Sequence, residues 1–272
     1  MEGEAAVAEV VSATGDLSAR GGDRIHPRVK QLVKEVFGAL GYQLKGTRYC
    51  PRQLLAQEHL RVIELDDVIC RRMLESNHEF TFIQVGAFDG VSTDPLYKYI
   101  TRYGWRGVLL EPQPRAATKL RELYRGNDRI LVLEAAVDGR PGRRTLFTVD
   151  SESVPTWAGG MASFQRENIV KNSYLIPGLE AMIGEITVNC ITFTDVIQHL
   201  PPGRLDLLQI DAEGADGHIL SLFPFDRIVP AIIHWESKNL TKLQQEDVLD
   251  VLSEHGYRFA RSGEEDMLAV RS

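Results

Sequence analysis

From Phe80 onward, short apolar runs alternate with amphipathic stretches, and this alternation limits the fold more than any other feature of the sequence. Runs such as 80–85, 107–110 and 205–210 are apolar in most positions and end abruptly at a glycine or an acidic residue. The stretches between them carry apolar residues at helical spacing. Strands that alternate with helices predict a mostly parallel sheet with helices on both faces. We therefore expect an α/β fold.

Three parts of the chain depart from this alternation. Residues 1–24 are rich in Gly, Ala, Ser and acidic side chains, a composition typical of a disordered tail. Residues 25–78 carry apolar residues at helical spacing and predict a helical N-terminal extension to a domain that spans 79–272. Residues 151–180 are interrupted by proline and paired glycines but keep several aromatic residues, and such a long irregular segment predicts a lid-like insertion.

Composition narrows the class of protein. The 31 basic and 38 acidic residues give a net charge of −7, which argues against nucleic acid as a partner. Three widely spaced cysteines, Cys50, Cys70 and Cys190, predict reduced core thiols rather than a disulfide or zinc scaffold. No apolar run approaches the ~20 residues of a membrane helix, and the acidic N-terminus is unlike a signal peptide. We expect a soluble, cytoplasmic protein with no membrane partner; the sequence carries no signal for oligomeric state.

Polar clusters follow four of the predicted strands. They are Gly86–Gly90, Glu111, Asp211–Gly214 and His234–Glu236. Because the carboxyl ends of parallel strands share one edge of a sheet, where ligands bind, we expect these clusters to form one cleft.

The first two clusters indicate a nucleoside. Glycines after a strand allow a ligand to approach the backbone, and an acid at the end of the next strand can accept both ribose hydroxyls. The turn lacks the middle glycine of G-x-G-x-x-G and holds Asp89, which would repel a pyrophosphate. These features favour S-adenosylmethionine over NAD. The alternatives are an ordinary strand-to-helix turn and, for Glu111, a solvated strand terminus.

The same segments resemble a known family. Residues 82–90 (FIQVGAFDG), 104–112 (GWRGVLLEP) and 208–214 (LQIDAEG) look like the FkbM family of methyltransferases, and the resemblance extends over about 80–270. It implies a class I, Rossmann-like fold with a seven-stranded, mostly parallel sheet and S-adenosylmethionine as methyl donor. It also implies O-methylation of a hydroxyl. The family commonly has Asn where this chain has Phe88.

Residue roles follow from this resemblance and from position in the predicted strands. The predicted cofactor contacts are Gln84, Gly86, Ala87, Asp89, Gly90, Glu111 and Ala136. The predicted substrate contacts are Trp157, Phe164 and Glu213. Small residues such as Ala136 can equally serve to let a helix pack on the sheet, and the aromatics can be surface packing of a long loop.

Methyl transfer to a hydroxyl needs an aligned acceptor and a group that takes the hydroxyl proton. The predicted catalytic residues are His234, Asp211 and Glu236, and His234 is chemically the natural base because imidazole titrates near neutral pH. The alternatives are a hydrogen-bonded core histidine for His234 and an ion pair with Lys238 for Glu236. A divalent ion such as Mg²⁺ on Asp211, Glu213 and Glu236 is conceivable but not favoured.

The sequence thus predicts an S-adenosylmethionine-dependent O-methyltransferase that acts on a sugar, glycan or natural-product hydroxyl. An NAD-linked oxidoreductase on the same type of sheet is the main alternative. A cofactor-binding module without catalysis is another. A nucleic-acid methyltransferase is disfavoured by the charge and by the lack of an Asn/Asp-Pro-Pro-Tyr/Phe segment.

Overall fold

The computed structural model describes residues 61–149 and 154–271, with the backbone alone for Arg61, Thr156 and Trp157. The elements before the insertion are β1 (Arg61–Val62), α1 (Leu65–Glu75), β2 (Thr81–Val85), α2 (Tyr97–Tyr103), β3 (Arg106–Leu110), α3 (Pro114–Leu123), β4 (Ile130–Leu133), β5 (Ala136–Val137) and β6 (Gly142–Val149). A 3₁₀ helix (Thr156–Gly160), β7 (Ala162–Ser163), α4 (Arg166–Val170) and α5 (Leu179–Met182) follow. The remaining elements are β8 (Ile183–Ile191), α6 (Phe193–Ile197), β9 (Leu207–Ile210), α7 (Asp216–Ser221), β10 (Ile232–Glu236), α8 (Lys242–Glu254), β11 (Tyr257–Ser262) and β12 (Asp266–Arg271).

The principal sheet has eight strands in the order β1-β11-β12-β10-β9-β2-β3-β4. Strand β12 runs antiparallel to both of its neighbours, and the other pairs are parallel. The chain passes from β4 back to the centre of the sheet at β9, so the strand order reverses between β2 and β9. This reversal creates the crevice at which open α/β sheets bind ligands.

Helices cover both faces of this sheet, as the sequence predicted. On one face, α1 and α2 contribute Ile69, Tyr99 and Ile100 to a core that includes Phe82 and Ile232. On the other face, α6, α7 and α8 contribute Phe193, Leu220 and Leu252 to a core with Ile83 and Ile233. Alternate strand residues point to opposite faces, so each central strand feeds both cores and is apolar nearly throughout.

A second, four-stranded sheet in the order β5-β8-β6-β7 was not expected. The sequence of 145–149 suits a strand at a sheet edge, and that of 186–191 alternates as a strand does. Both segments are strands, but they pair with each other rather than with the main sheet. The insertion of 151–180 is also more regular than expected. In its described part it forms β7, α4 and a small core of its own that includes Ala158, Ile169 and Leu179.

The N-terminal predictions are tested only in part. Residues 1–60, with the predicted tail, most of the predicted helical extension and Cys50, lie outside the described residues. The described end of the extension is not separate from the sheet, because β1 pairs with β11 and α1 packs on the core. Cys190 is a buried free thiol, whereas Cys70 is a free thiol on the surface and not in the core. No helix among the described residues is long and apolar enough to cross a membrane.

Candidate functional site

The glycine turn after β2 is held against the end of β9. Gly86 has φ +80°, and a Cβ there would fall 1.8 Å from the carbonyl oxygen of Asp211. The backbone N–H groups of Gly86 and Ala87 both donate to the carbonyl of Leu110, at 3.0 and 3.1 Å. Only glycine fits this conformation and this approach, and as a result the ends of β2, β3 and β9 meet at one point.

Glu111, at the end of β3, is joined directly to that turn. Its side chain is buried, with 3% of its surface exposed. One carboxylate oxygen accepts the backbone N–H of Phe88 at 2.8 Å, and the other accepts that of Gln113 at 2.8 Å. Burial raises the pKa of Glu111 to about 7, although these hydrogen bonds and one from the Gln113 side chain act to lower it. A carboxylate has about four acceptor positions, so it can still accept a further donor such as a ribose hydroxyl.

A partly open cleft lies beside this junction, at the carboxyl ends of the central strands, where open α/β sheets bind ligands. Among the predicted site residues, Gly86, Glu111, Ala136, Phe164, Asp211 and Glu213 line it. The other lining residues are Val85, Phe88, Thr93, Pro112, Gln113, Ala135, Val137, Leu146, Gly160, Ala162, Ser163, Ala212, Ala215 and Ile219. The described lining thus has three carboxyl groups and no lysine, arginine or histidine.

Two of those carboxyls stand at the end of β9. Asp211 is open to the solvent of the cleft, yet the protein around it and the neighbouring charge of Glu236 raise its pKa to about 7. Burial, followed by the charges of Glu236 and Asp211, raises the pKa of Glu213 to about 8. Lys238 opposes both shifts. Carboxyls that titrate near neutral pH are suited to accept a proton there.

The insertion and the second sheet form the remaining wall. Phe164 lines the cleft, and the guanidinium of Arg144 lies 4.0 Å from its ring centroid. The ring of Phe88 lies beside Gly160, so the insertion also touches the glycine turn. Tyr174, another aromatic of the insertion, is 80% exposed and is not part of the described lining. The side chain of Trp157 lies outside the described residues, so its predicted substrate contact stays a prediction.

Asp89 has a different environment from the one we expected. Its carboxylate accepts hydrogen bonds from the backbone N–H groups of Val91 (3.1 Å) and Ser92 (2.8 Å) and from the Ser92 hydroxyl (2.9 Å). Partial burial acts to raise the pKa of Asp89, but these hydrogen bonds outweigh it and lower the pKa. Asp89 shapes the turn after Phe88 and is not among the described residues that line the cleft.

Three further predicted cofactor residues lie next to the cleft rather than in its lining. Gln84 points to the face of the sheet that carries Phe82, and its amide donates to Asp94 at 3.3 Å. Ala87 is buried in that same core. A Cβ at Gly90 would lie 2.6 Å from the Leu120 side chain, so this glycine serves helix packing.

His234 is buried in the middle of β10 and is not among the described residues that line the cleft. It shares a strand face with Ile232 and pairs in register with Gln209 of β9. Its Nδ1 donates to Gln209 at 2.8 Å, and its buried Nε2 has no hydrogen-bond partner among the described residues. Burial lowers the pKa of His234 to about 4. This environment matches the alternative we weighed for His234, a hydrogen-bonded core histidine, and it separates His234 from the cleft.

Glu236 is also buried and is not in the described lining. It pairs with Lys238 at 2.5 Å and accepts the Asn239 amide at 2.9 Å. It acts on the cleft through its charge, which raises the pKa of Asp211 and Glu213. Among the described residues, no group of three or more His, Cys, Asp or Glu side chains is arranged to hold a metal ion, and this includes Asp211, Glu213 and Glu236.

Several lining residues were missed by sequence reasoning. Phe88 and Gln113 lie next to predicted positions, and their proximity to Gly86 and Glu111 was the available signal. Leu146 and Ser163 line the cleft from strands β6 and β7 of the second sheet. The sequence does not indicate that these strands pair, so their place in the cleft was not predicted.

Comparison with known proteins agrees with this geometry. The family described as the methyltransferase FkbM domain matches residues 84–259. This range includes the glycine turn, Glu111, the insertion and the Asp211–Gly214 turn. No curated protein matches the sequence.

Solved methyltransferase structures are similar in fold at low identity. A methyltransferase FkbM from Methylobacillus flagellatus KT is 12% identical with a TM-score of 0.44, over 71% of this chain and 43% of that one. A METTL16 methyltransferase domain is 10% identical with a TM-score of 0.42, over 97% and 91%. A fibrillarin from Methanococcus jannaschii is 8% identical with a TM-score of 0.36, over 71% and 66%. The chain spans less than half of the length of the Methylobacillus protein.

Proposed function

The chain belongs to the FkbM methyltransferase family, and from this premise we propose that it transfers the methyl group of S-adenosylmethionine to a hydroxyl of a sugar, glycan or natural product. The family implies S-adenosylmethionine as the donor. That the acceptor is a hydroxyl goes beyond what the family implies, and the chemistry of the cleft supports it.

The observation that carries the proposal is the charge of the cleft. Its described lining holds Glu111, Asp211 and Glu213 and no basic side chain. Such a lining suits a ligand that is cationic and free of phosphate, and S-adenosylmethionine is both. NAD carries a pyrophosphate, which these carboxylates would repel, and so the cleft disfavours the oxidoreductase alternative. The same repulsion disfavours a nucleic-acid acceptor.

Individual residues of the cleft fit parts of this donor. Glu111 would hold the ribose, because its carboxylate lines the cleft and can still accept a hydroxyl besides the donors of Phe88 and Gln113. Ala135 and Ala136 leave a shallow apolar wall on which the adenine would lie. Gly86 exposes its backbone to the ligand, since it has no side chain.

When bound, S-adenosylmethionine supplies a methyl group made electrophilic by its sulfonium. Asp211 or Glu213 accepts the proton of the acceptor hydroxyl as the new oxygen–carbon bond forms and the carbon–sulfur bond breaks. Both carboxyls are in the cleft, and their raised pKa values suit proton transfer near neutral pH. His234 takes no part in this step because it is buried within β10 and is not in the described lining of the cleft.

Calorimetry tests the donor. S-adenosylmethionine and S-adenosylhomocysteine should both bind the intact protein, and Glu111→Gln should weaken both by about 10–100-fold, through loss of a charged hydrogen-bonding partner. Glu134→Gln is the matched control, since Glu134 pairs with Arg121 outside the described lining. A folded wild-type protein that binds neither compound but enhances NADH fluorescence would contradict the proposal that S-adenosylmethionine is the donor.

Radiolabel transfer tests the acceptor. Methyl-labelled S-adenosylmethionine is incubated with sugars, oligosaccharides and hydroxylated natural products, and label is sought in base-stable ethers. Asp211→Asn and Glu213→Gln should each lower turnover by about 10²-fold or more where that residue is the base. Label found only in amines, or in nucleic acid, would contradict the hydroxyl acceptor.

A further inference from the structure

Two side chains of the insertion donate hydrogen bonds to one carbonyl group in the turn after β9. The backbone oxygen of Glu213 accepts hydrogen bonds from the amide of Asn168 (3.1 Å) and from the hydroxyl of Ser163 (3.2 Å). Ser163 ends β7 and Asn168 lies in α4, so both donors belong to the insertion. These bonds attach the insertion to the residue that carries one of the two candidate bases.

Glu213 needs such support because its backbone is left-handed, with φ +49°. A non-glycine residue rarely adopts this region, because its Cβ crowds the following carbonyl oxygen, and it persists there only where its surroundings hold it. The non-glycine residues with positive φ in the described chain are Phe88, Thr93 and Glu213, and all three line the cleft. The strain is therefore confined to the proposed site.

Asn168 is itself fixed. It is 8% exposed, and its amide oxygen accepts the Lys171 ammonium at 3.0 Å, so its amide nitrogen faces Glu213. The turn is shaped to admit this amide, because a Cβ at Gly214 would lie 2.5 Å from the Asn168 nitrogen. The next residue, Ile169, is buried in the small core of the insertion and anchors α4.

We propose that Asn168 is a positioning residue: it holds the left-handed backbone of Glu213 and thereby keeps the Glu213 carboxyl in the cleft. The inference rests on the proposed function for its consequence, since the carboxyl it places is a candidate base. The insertion is then a fixed part of the site, and its release from the turn would free Glu213 to relax away from the cleft.

A stability comparison tests the backbone role without any ligand. In a Glu213→Gly background glycine adopts positive φ freely, so there is no strain to release, and Asn168→Ala should lower Tm by about 2–4 °C, the effect of losing roughly one buried hydrogen bond in a domain of this size. In a Glu213→Ala background the strain remains, and its release when the turn relaxes offsets part of the lost hydrogen bond, so Asn168→Ala should lower Tm by less than about half as much. Asn168→Asp, which keeps the shape and removes the donor, gives the same comparison if the alanine variant does not fold.

Asn172→Ala is the matched control. The Asn172 amide donates to the backbone of Asn168 at 3.4 Å and not to Glu213, so its effect should be equal in both backgrounds. An equal loss for Asn168→Ala in the Ala and Gly backgrounds would overturn the proposal, because the left-handed backbone at position 213 would then persist without Asn168.

The pH dependence of S-adenosylmethionine affinity tests the consequence. Between pH 6 and 9 the affinity of the wild type should rise as the cleft carboxyls ionise, and Glu213→Gln should reduce that rise by roughly threefold or more. Asn168→Ala should reduce it similarly and Asn172→Ala should not. A wild-type profile in Asn168→Ala would overturn the positioning role while leaving the donor intact. If the wild type does not bind S-adenosylmethionine, the proposed function is rejected. The stability comparison then remains as the test of the backbone role of Asn168.

Discussion

The backbone of Gly86 passes so close to Asp211 that a single added carbon would fall 1.8 Å from the Asp211 carbonyl oxygen. Asp211 in turn donates its backbone N–H to the carbonyl of Val85 at 2.9 Å. The turn after β2 and the turn after β9 are therefore one packed unit. This contact brings the residues that would hold the donor next to those that would take the acceptor's proton.

Substitution of Gly86 by alanine should reduce the free energy of unfolding by more than about 3 kcal/mol, since it combines a left-handed alanine with a backbone collision. Urea denaturation measures the loss. Gly126→Ala is the control, because Gly126 has φ +81° but nothing within 4 Å of a Cβ. It should lose only about 1–2 kcal/mol. Equal losses in the two variants would mean that the turn moves away from Asp211 at little cost.

The cleft carboxyls make the ligand-free protein less stable as pH rises. The pKa of Glu111 and Asp211 is raised to about 7 and that of Glu213 to about 8, well above their values in an unfolded chain. A raised carboxyl pKa gives stability that is complete below the unfolded pKa, about 4, and is lost as pH passes the folded pKa. The free energy of unfolding should therefore fall between pH 6.5 and 8.5.

Urea denaturation across this pH range measures the effect. Burial lowers the pKa of His234 to about 4, so His234 loses stability only as pH falls below about 6.5 and does not act in this range. Glu213→Gln should flatten the slope, and Glu134→Gln, which changes a partly exposed carboxyl in an ion pair, should leave it unchanged. A rise in stability from pH 6.5 to 8.5 would contradict the raised pKa values.

The sequence located the site through a simple signal, the position at which each apolar run ends. Glu111 and Asp211 follow buried strands directly, and their convergence at one edge follows from parallel pairing. The sequence places His234 at such an end, but β10 continues to Glu236 and His234 lies buried inside the strand. A strand that is buried on both sides does not reveal from its sequence which polar residues stay within it.

The second sheet could not be predicted for a related reason. The alternation of apolar and polar residues indicates a strand at 186–191, but it does not indicate which strand pairs with it. The partner strand β6 is separated from β8 in sequence by the insertion. The support of Glu213 by Asn168 was equally hidden. It depends on a single amide that lies 45 residues from the carbonyl it holds.

Binding of S-adenosylmethionine near pH 7 should release protons. A cation in the cleft favours the ionised form of nearby carboxyls, so those that are partly protonated in the free protein lose their protons on binding. Calorimetry in two buffers with different ionisation enthalpies counts the protons. S-adenosylhomocysteine is the control ligand because its sulfur is neutral, and it should release fewer. Equal release with both ligands would show that the sulfonium does not lie near these carboxyls.

Asp206 lies at the end of the central strands that is away from the cleft. Its substitution should lower the stability of the protein without changing ligand binding in the cleft. Asp206 is fully buried and accepts hydrogen bonds from the Thr81 backbone (2.9 Å), the Thr81 hydroxyl (3.1 Å) and Arg72 (2.9 Å), with His78 at 3.1 Å. Asp206→Asn removes the charge that Arg72 faces and turns an amide toward existing donors. Loss of one partner of a buried pair costs about 3–5 kcal/mol, and the free energy of unfolding should fall by that amount.

The matched control is Asp66→Asn, since Asp66 pairs with Lys98 and both side chains are more than half exposed. It should lose less than about 1 kcal/mol. Asp206 precedes β9, at the end of the strand away from the cleft, so the folded fraction of Asp206→Asn should bind S-adenosylmethionine with wild-type affinity. A variant as stable as the wild type would show that the buried charge is dispensable. If fully folded Asp206→Asn bound S-adenosylmethionine more weakly, the two ends of the central strands would instead be energetically coupled.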